Sequence, residues 1–319
     1  MHTIFIADSF SKQGIKMLKE FGFNVIYKPG LALNEKIEEV RNADGLVVRS
    51  ATKVTADMFT AAKKLRLVGR AGAGVDNIDL EAANRHGVTV MNTPGQNTLA
   101  AAEHAFALMI SLCRNIPRAD ARLRNNTWDK KGLMGTELNG KTLGLIGLGR
   151  IGREVARRAK AFNMEILGFD PYFDANEAMQ EGINKCDLND IWTNSDIISL
   201  HAPFTPDTKH ILSKETLAKC KDGIRVINCA RGGLIEDQAL ANALESEKVS
   251  GAALDVFEEE PLPANHIFLT HPNVVLTPHL GASTFESQIK VASAIARQFN
   301  AFFNQNDAQF VVNKPVALV

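Results

Sequence analysis

The feature that most constrains this chain is a glycine-rich turn between a predicted strand and a predicted helix. The apolar run 142–146 leads into the motif GLGRIG at 147–152, and helix-forming residues follow it. In a dinucleotide fingerprint the first glycine permits a tight turn, the second lets a pyrophosphate approach the backbone, and the third allows close packing of the helix. The helix N-terminus offers free N–H groups to the anion. The sequence therefore predicts that Gly147, Gly149 and Gly152 bind a dinucleotide.

A carboxylate after the next predicted strand indicates which dinucleotide is bound. The strand 165–169 ends at Asp170, close to the spacing of about 20 residues expected for a group that binds the adenosine ribose. Neither lysine nor arginine follows in 171–173, so a 2′-phosphate finds no cation there. NAD is therefore favoured over NADP. The alternative interpretation of Asp170 is a residue that caps the turn at the end of the strand.

Composition limits the other classes of function. A length of 319 residues suggests about two domains. Lys and Arg together number 36, as do Asp and Glu, so the chain has no net field to attract nucleic acid or an anionic membrane. The N-terminus carries no signal-peptide pattern, no apolar run reaches the length of a membrane span, and the four cysteines are widely spaced. We expect a cytoplasmic protein without a metal site, a nucleic-acid partner or a membrane partner.

Short apolar strands alternate with helical segments along nearly the whole chain, which is typical of parallel sheets covered on both faces. The predicted fold is α/β, with two doubly wound parallel-sheet (Rossmann-like) domains and a cleft between them. Residues 1–93 plus 284–319 form the predicted substrate-binding domain, and residues 94–283 form the predicted NAD-binding domain. The sequence STFE at 283–286 has the form of a capping box, and the helix after it is predicted to return to the first domain.

An apolar helix opens near residue 98 and runs to about residue 113, followed by a polar arm over 117–125 that ends at Trp128. A helix that is apolar over most of its surface must be buried. This segment is either an arm that packs on another subunit, giving a homodimer or a higher homo-oligomer, or an ordinary interdomain helix.

Polar residues directly after predicted strands are the candidates for chemistry, because ligands bind beyond the carboxyl ends of strands in doubly wound folds. Three of them suit hydride transfer at a carbon that bears a hydroxyl next to a carboxylate. His279 would take and return the hydroxyl proton, Glu260 would orient the imidazole and favour its protonated form, and Arg231 would hold the carboxylate. No protein nucleophile is required.

Six motifs together resemble the D-isomer-specific 2-hydroxyacid dehydrogenases over nearly the whole chain. They are AGAGVDNIDL, NTPG, GLGRIGREVA, NCARGGLIED, GAALDVFEEEP and PHLGAST. The resemblance implies an NAD-dependent oxidoreductase in which Arg231, Glu260 and His279 are catalytic. It further implies that the cofactor contacts include Arg150, Ile151, Asp170, His201, Ala202, Cys229, Ala230, Asp255, Gly281 and Ala282.

Within that family, the sequences VRSATKV at 48–54 and GRAGAG at 69–74 are most similar to the branch that acts on 3-phosphoglycerate. The resemblance implies interconversion of D-3-phosphoglycerate and 3-phosphohydroxypyruvate in serine biosynthesis. Two arginines after strands, with backbone N–H groups nearby, suit a carboxylate and a phosphate; the alternative is solvent-exposed charge. The predicted substrate contacts are Arg49, Ser50, Arg70, Ala71, Gly72 and, from a partner subunit, Lys130.

Two other functions remain open at this point. One is reduction of glyoxylate or hydroxypyruvate, or another 2-hydroxyacid dehydrogenase activity on the same fold. The other is a corepressor-like protein that binds NAD and acts by recruiting partners. Many relatives continue into a regulatory domain that binds serine, whereas this sequence stops at Val319, and we expect feedback by serine through that domain to be absent.

Overall fold

A computed structural model describes residues 1–315 of the chain, which divides into two compact units. Unit 1 consists of Met1–Asn97 and Ser283–Val319, and unit 2 consists of Thr98–Ala282. The first boundary follows Asn97 rather than residue 93, because the first helix of unit 2 begins only at Thr98. The last four residues of the predicted first domain lie outside the described residues.

Unit 1 contains a sheet of five parallel strands in the order β2-β1-β3-β4-β5. Side chains alternate along each strand, so Ile4 and Ile6 enter one core while Phe5, between them, enters the other. Two cores of this kind require helices on both faces. The elements are β1 (Thr3–Ile6), α1 (Lys12–Glu20), β2 (Asn24–Tyr27), α2 (Leu33–Val40), β3 (Gly45–Val48), α3 (Ala56–Ala61), β4 (Leu67–Arg70), α4 (Leu80–Arg85) and β5 (Thr89–Asn92).

Unit 2 contains seven parallel strands in the order β12-β11-β10-β9-β6-β7-β8. The chain moves outward from β6 in one direction and then from β9 in the other, so the strand order reverses between these two neighbours. Such a switch point is where doubly wound sheets bind ligands. The elements are α5 (Thr98–Cys113), α6 (Ile116–Arg124), β6 (Thr142–Ile146), α7 (Arg150–Ala161), β7 (Glu165–Phe169), α8 (Ala175–Gln180), β8 (Asn184–Lys185), α9 (Leu188–Asn194), β9 (Ile197–Leu200), α10 (Lys214–Lys219), β10 (Ile224–Asn228), α11 (Asp237–Glu245), β11 (Val249–Leu254) and β12 (Val274–Leu276).

The last helix, α12 (Phe285–Gln305), packs in unit 1, as the sequence predicted. Its Phe299 ring is buried against the sheet, and a Cβ at Gly45 or Gly69 would come within 2.7 or 2.4 Å of that ring. The predicted capping box is wrong in its register. The N-cap is Thr284, whose side chain accepts the N–H of Ser287, so the helix begins one residue later than the STFE pattern indicates.

The predicted α/β class and the two parallel sheets are confirmed. The sequence did not predict α8, β8 and α9, which are short and lie in a polar segment. The two helices begin at aspartate N-caps and lack a clear apolar pattern. Asp174 accepts the N–H groups of Asn176 and Glu177, and Asp187 accepts that of Asp190. Within residues 1–315, no helix has both the length and the apolar character needed to span a membrane.

Candidate active site

In the glycine turn of unit 2, a different feature of the structure requires or permits glycine at each of the three positions. Gly147 has φ +99°, and a Cβ there would lie 2.6 Å from the backbone of His201. A Cβ at Gly152 would lie 2.1 Å from the carbonyl oxygen of Gly147, so the third glycine packs on the turn itself. Nothing lies within 4 Å of a Cβ built on Gly149. The middle glycine therefore faces open space, into which a ligand can approach the backbone.

The first turn of α7 is suited to an anion. Gly149 is its N-cap, no side chain caps the helix, and Arg150 and Ile151 are its first two residues. The free N–H groups of a twelve-residue helix and its dipole favour a negative group at this end. These residues fit the pyrophosphate of a dinucleotide.

Asp170 ties the glycine turn to the end of β7. Its Oδ2 accepts the N–H of Leu148 at 2.8 Å, and its Oδ1 accepts the N–H of Tyr172 at 2.8 Å. The turn-capping interpretation is therefore seen directly in the structure. Each carboxylate oxygen retains a second lone pair, so the ribose contact stays a prediction.

His201 and Ala202 follow β9 and pack beside the turn. The His201 Nε2 lies 2.9 Å from the Ser199 hydroxyl, and burial lowers the pKa of His201 to about 4. Its imidazole is therefore neutral at physiological pH and does not add a cation next to the cofactor turn. Ala202 is buried in the core of unit 2.

The lowered pKa of His201 predicts a pH dependence of stability. Below pH 6.5 the unfolded chain binds a proton at His201, whereas the folded chain does so only near pH 4. The free energy of unfolding should thus fall as the pH drops through this window, by at most about 1.4 kcal/mol per pH unit from this group. Between pH 6.5 and 4, we expect the His201→Gln variant to lose less stability than the wild type. Thermal unfolding of both proteins at several pH values measures this difference. Parallel curves for the two proteins would contradict the assignment.

Cys229 and Ala230 follow β10 in the loop that carries Arg231. Burial, together with the negative charge of Asp255, raises the pKa of Cys229. The thiol therefore remains protonated and is not a nucleophile. Asn228 shapes this loop, because its side chain accepts the N–H of Ala230 at 3.0 Å and donates to the carbonyl oxygen of Arg231 at 2.9 Å.

The loop that carries Arg231 abuts the loop that carries Glu260. A Cβ at Gly232 would lie 1.8 Å from the carbonyl oxygen of Phe257, so only glycine permits this approach. The Arg231 guanidinium donates to the carbonyl oxygen of Ala230 at 2.6 Å.

Glu260 and His279 form a hydrogen-bonded pair. Nδ1 of His279 lies 2.7 Å from Oε2 of Glu260, and about a third of each side chain is exposed, 37% and 35%. Burial alone would raise the pKa of Glu260, but the hydrogen bond and charge of His279, with the N–H of Phe257, hold it below its usual value. The carboxylate is ionised and accepts the Nδ1 proton, so a neutral His279 has its basic lone pair on Nε2.

Asp255 organises the loop after β12. It is fully buried, and its carboxylate accepts the N–H of Leu280 at 2.7 Å and that of Gly281 at 2.8 Å. Burial would raise the pKa of Asp255, but the hydrogen bonds from His104, Thr277 and Leu280 outweigh it, and the pKa is lowered. Ala282 is the last residue of unit 2. Contact of Asp255, Gly281 and Ala282 with the cofactor stays a prediction.

In unit 1, Arg49 and Arg70 lie at the carboxyl ends of two adjacent strands. Val48, the last residue of β3, pairs with Arg70, the last residue of β4, and Arg49 follows immediately. Arg70 is the last residue of β4, so it ends that strand instead of following it as the sequence predicts. Burial lowers the pKa of Arg49, while the negative charge of Asp8 opposes the shift.

Two residues that the sequence did not single out hold the Arg49 loop. Buried Asp8 accepts the N–H groups of Arg49 at 2.6 Å and Thr52 at 3.2 Å. The amide of Asn77 donates to the carbonyl oxygens of the same two residues, at 2.7 and 2.6 Å. Ser50 is exposed on this loop. The position of Asp8 two residues after the end of β1 was the signal that could have found it.

The segment after β4 brings backbone groups to the same end of the sheet. Ala71 donates its N–H to the carbonyl oxygen of Val48 at 2.8 Å, and Gly72 has φ +154°, beside the guanidinium of Arg70. Lys130 belongs to unit 2, where it is exposed on the segment between α6 and β6. Its contribution to a partner subunit stays a prediction.

Comparison with known proteins identifies the larger unit. Residues 106–281 match the model of the D-isomer specific 2-hydroxyacid dehydrogenase family, NAD binding domain. This match includes the glycine turn and all three predicted catalytic residues. It confirms the predicted family and the predicted cofactor, NAD.

Relatives extend the similarity to both units. A D-3-phosphoglycerate dehydrogenase of Rattus norvegicus is 49% identical over 98% of the chain, but the chain spans only 58% of that protein. The TT0316 protein of Thermus thermophilus is 32% identical with a TM-score of 0.90, covering 97% of this chain and 99% of that one. A glyoxylate reductase of Paecilomyes thermophila is 29% identical with a TM-score of 0.87, and 98% of each chain is covered.

Proposed function

Because this chain belongs to the family of D-isomer-specific 2-hydroxyacid dehydrogenases, we propose that it interconverts D-3-phosphoglycerate and 3-phosphohydroxypyruvate with NAD, the entry step of serine biosynthesis. The observation that carries the proposal is the pair of arginines at adjacent strand ends in unit 1, Arg49 and Arg70. Guanidinium groups bind phosphate and carboxylate in bidentate fashion. The similarity to a D-3-phosphoglycerate dehydrogenase supports the same substrate.

The proton step follows from the Glu260 and His279 pair. In the oxidation, Nε2 of His279 takes the proton of the 2-hydroxyl group as the C–H bond at the same carbon breaks and the C–O bond becomes a carbonyl. A bound NAD would supply the acceptor for the hydride. The ionised carboxylate of Glu260 holds Nδ1–H, fixes the tautomer and stabilises the imidazolium that forms. Reduction returns the same proton to the carbonyl oxygen.

Arg231 is proposed to bind the substrate carboxylate. Its loop is rigidly built, since Asn228 bonds both Ala230 and Arg231 and Gly232 packs on the Phe257 backbone. A positioned guanidinium gives the carboxylate one orientation, which brings a single face of the hydroxyl-bearing carbon into reach. The protein residues therefore supply binding, orientation and proton transfer.

The phosphate assignment is tested by replacing Arg70 with alanine and following NADH absorbance. We expect the Michaelis constant for 3-phosphohydroxypyruvate to rise about 10- to 100-fold, because a charge-assisted hydrogen bond is lost, while that for glyoxylate changes little. Arg66→Ala is the matched control, since Arg66 precedes β4 at the opposite end of the same strand. Its Michaelis constants should stay at the wild-type values.

The same assay separates the competing functions. Equal catalytic efficiency of the wild type on hydroxypyruvate, glyoxylate and the phosphorylated acid would overturn the phosphate site and favour a glyoxylate or hydroxypyruvate reductase. The similarity to a solved glyoxylate reductase supports that second candidate. NAD binding without turnover of any 2-keto or 2-hydroxy acid would instead favour the corepressor-like function.

We further propose that the segment from α6 to residue 134 packs on a second copy of the chain. It exposes large apolar side chains that water does not favour, namely Ile116, Leu123, Trp128 and Met134, of which Trp128 is 83% and Met134 93% exposed. Light scattering should give at least twice the mass of one chain, and Trp128→Ser should shift the mass toward the monomer. A wild-type mass of one chain would exclude this interface.

A further inference from the structure

The apolar inner face of helix α5 is interrupted by one imidazole. His104 lies among Ala101, Ala105 and Leu108, which are buried at 8% exposure or less, and only 20% of its own side chain is exposed. A ring nitrogen at such a position requires a hydrogen-bond partner, because an unmade bond to a buried polar group costs free energy.

The partners of His104 directly follow two strands that pack against the helix, Asp255 after β11 and Thr277 after β12. Its Nε2 is 3.1 Å from Oδ1 of Asp255 and 3.1 Å from Oγ1 of Thr277. The Thr277 hydroxyl also contacts Oδ1 of Asp255, at 2.6 Å. An ionised carboxylate only accepts, so Nε2 of His104 carries the proton and donates it.

Asp255 in turn determines the backbone on either side of His279. Its carbonyl oxygen accepts the N–H of His279 at 2.9 Å, and its carboxylate accepts those of Leu280 and Gly281. His279 has φ +54°, a left-handed conformation that costs a residue with a side chain about 1 kcal/mol. These bonds from Asp255 hold His279 in that conformation.

The Asp255 carboxylate needs support of its own. Its side chain is 1% exposed, and a buried negative charge is unfavourable unless it is paired and hydrogen-bonded. His104 supplies a basic donor to the oxygen that also accepts Leu280 N–H. Without that donor, only the Thr277 hydroxyl and the two backbone N–H groups remain to hold the orientation of the carboxylate.

We propose that His104 is a positioning residue for the reaction: it holds the Asp255 carboxylate, which holds the loop 279–281 and so places the imidazole of His279. The inference rests on the proposed function, in which His279 transfers the proton. It assigns a role to a residue on a different element, far from the reacting groups in the sequence, and it requires a hydrogen-bond donor at residue 104.

The test compares His104→Leu, which removes the donor, with His104→Gln, whose amide can still donate. We expect turnover of 3-phosphohydroxypyruvate by His104→Leu to fall about tenfold with a much smaller change in its Michaelis constant, since a displaced catalytic group affects the reacting step more than binding. His104→Gln should recover most of the loss. Glu103→Gln is the control, because it removes an ion pair with Arg158 from the adjacent position on the same helix.

Hydrogen exchange of the Leu280 and Gly281 amides, measured without substrate, provides a readout that does not depend on activity. Exchange should accelerate in His104→Leu but not in His104→Gln or Glu103→Gln. Turnover of His104→Leu within twofold of the wild type, or a His104→Gln variant as slow as His104→Leu, would overturn the proposal. If the wild type turns over no acid, the proposed function fails, and unchanged exchange in His104→Leu would then separately overturn the role of His104.

Discussion

Replacing His279 with alanine is expected to lower turnover by about 10²- to 10⁴-fold, because the 2-hydroxyl group loses the base that takes its proton. The Michaelis constants should change far less, since Nε2 acts mainly in the transition state. Steady-state kinetics from NADH absorbance, in both directions, measures the effect. A loss below tenfold would show that another group transfers the proton.

A matched histidine controls for the loss of an imidazole. His271 precedes β12, whereas His279 follows the same strand, so His271→Ala removes the same side chain from the other end. Its turnover should equal that of the wild type. The turnover of Glu260→Gln should lie between those of His279→Ala and His271→Ala. The amide oxygen of the glutamine still accepts Nδ1–H, but the negative charge that stabilises the imidazolium is gone.

Alanine substitutions at two glycines of the turn are expected to have different effects, one on stability and the other on NAD binding. Gly147→Ala should reduce the free energy of unfolding by about 2–5 kcal/mol. A side chain at φ +99° is strained, and its Cβ would lie 2.6 Å from the His201 backbone. Gly149→Ala should leave stability nearly unchanged, because its φ of −65° suits any residue and nothing lies within 4 Å of the new Cβ.

For NAD binding, Gly149→Ala should be the more damaging of the two substitutions, although it is the milder one for stability. The open space at Gly149 is where the proposed pyrophosphate approaches the backbone, so Gly149→Ala should lose most of its NAD affinity while it remains folded. Thermal unfolding combined with NAD titration by fluorescence measures both quantities on the same samples. Wild-type affinity in Gly149→Ala would contradict the placement of the pyrophosphate at this turn.

The sequence predicted most of the elements, because strands and helices here have strong local patterns. Strands β6 and β7 have the predicted limits, 142–146 and 165–169, since each is a short, largely apolar run that ends at a turn glycine or an acid. Prediction was weaker where side-chain caps rather than apolar periodicity set the limits. In α8 and α9 an aspartate decides the start, and at α12 the hydroxyl of Thr284 displaces that of Ser283.

The sequence by itself predicted the chemical groups of the site: a glycine turn after a strand, an acid after the next strand, and an Arg, a Glu and a His after later strands. These are local properties, since each depends on residues within about twenty positions. The arrangement of these residues in space depends on the order of the parallel strands in each sheet. That order is not encoded by residues that are neighbours in the sequence. Only the tertiary structure brought His104 to Asp255, 151 positions away, and Asn77 to the Arg49 loop. Such bonds form because folding buries polar groups that must then find partners wherever the sheet places them.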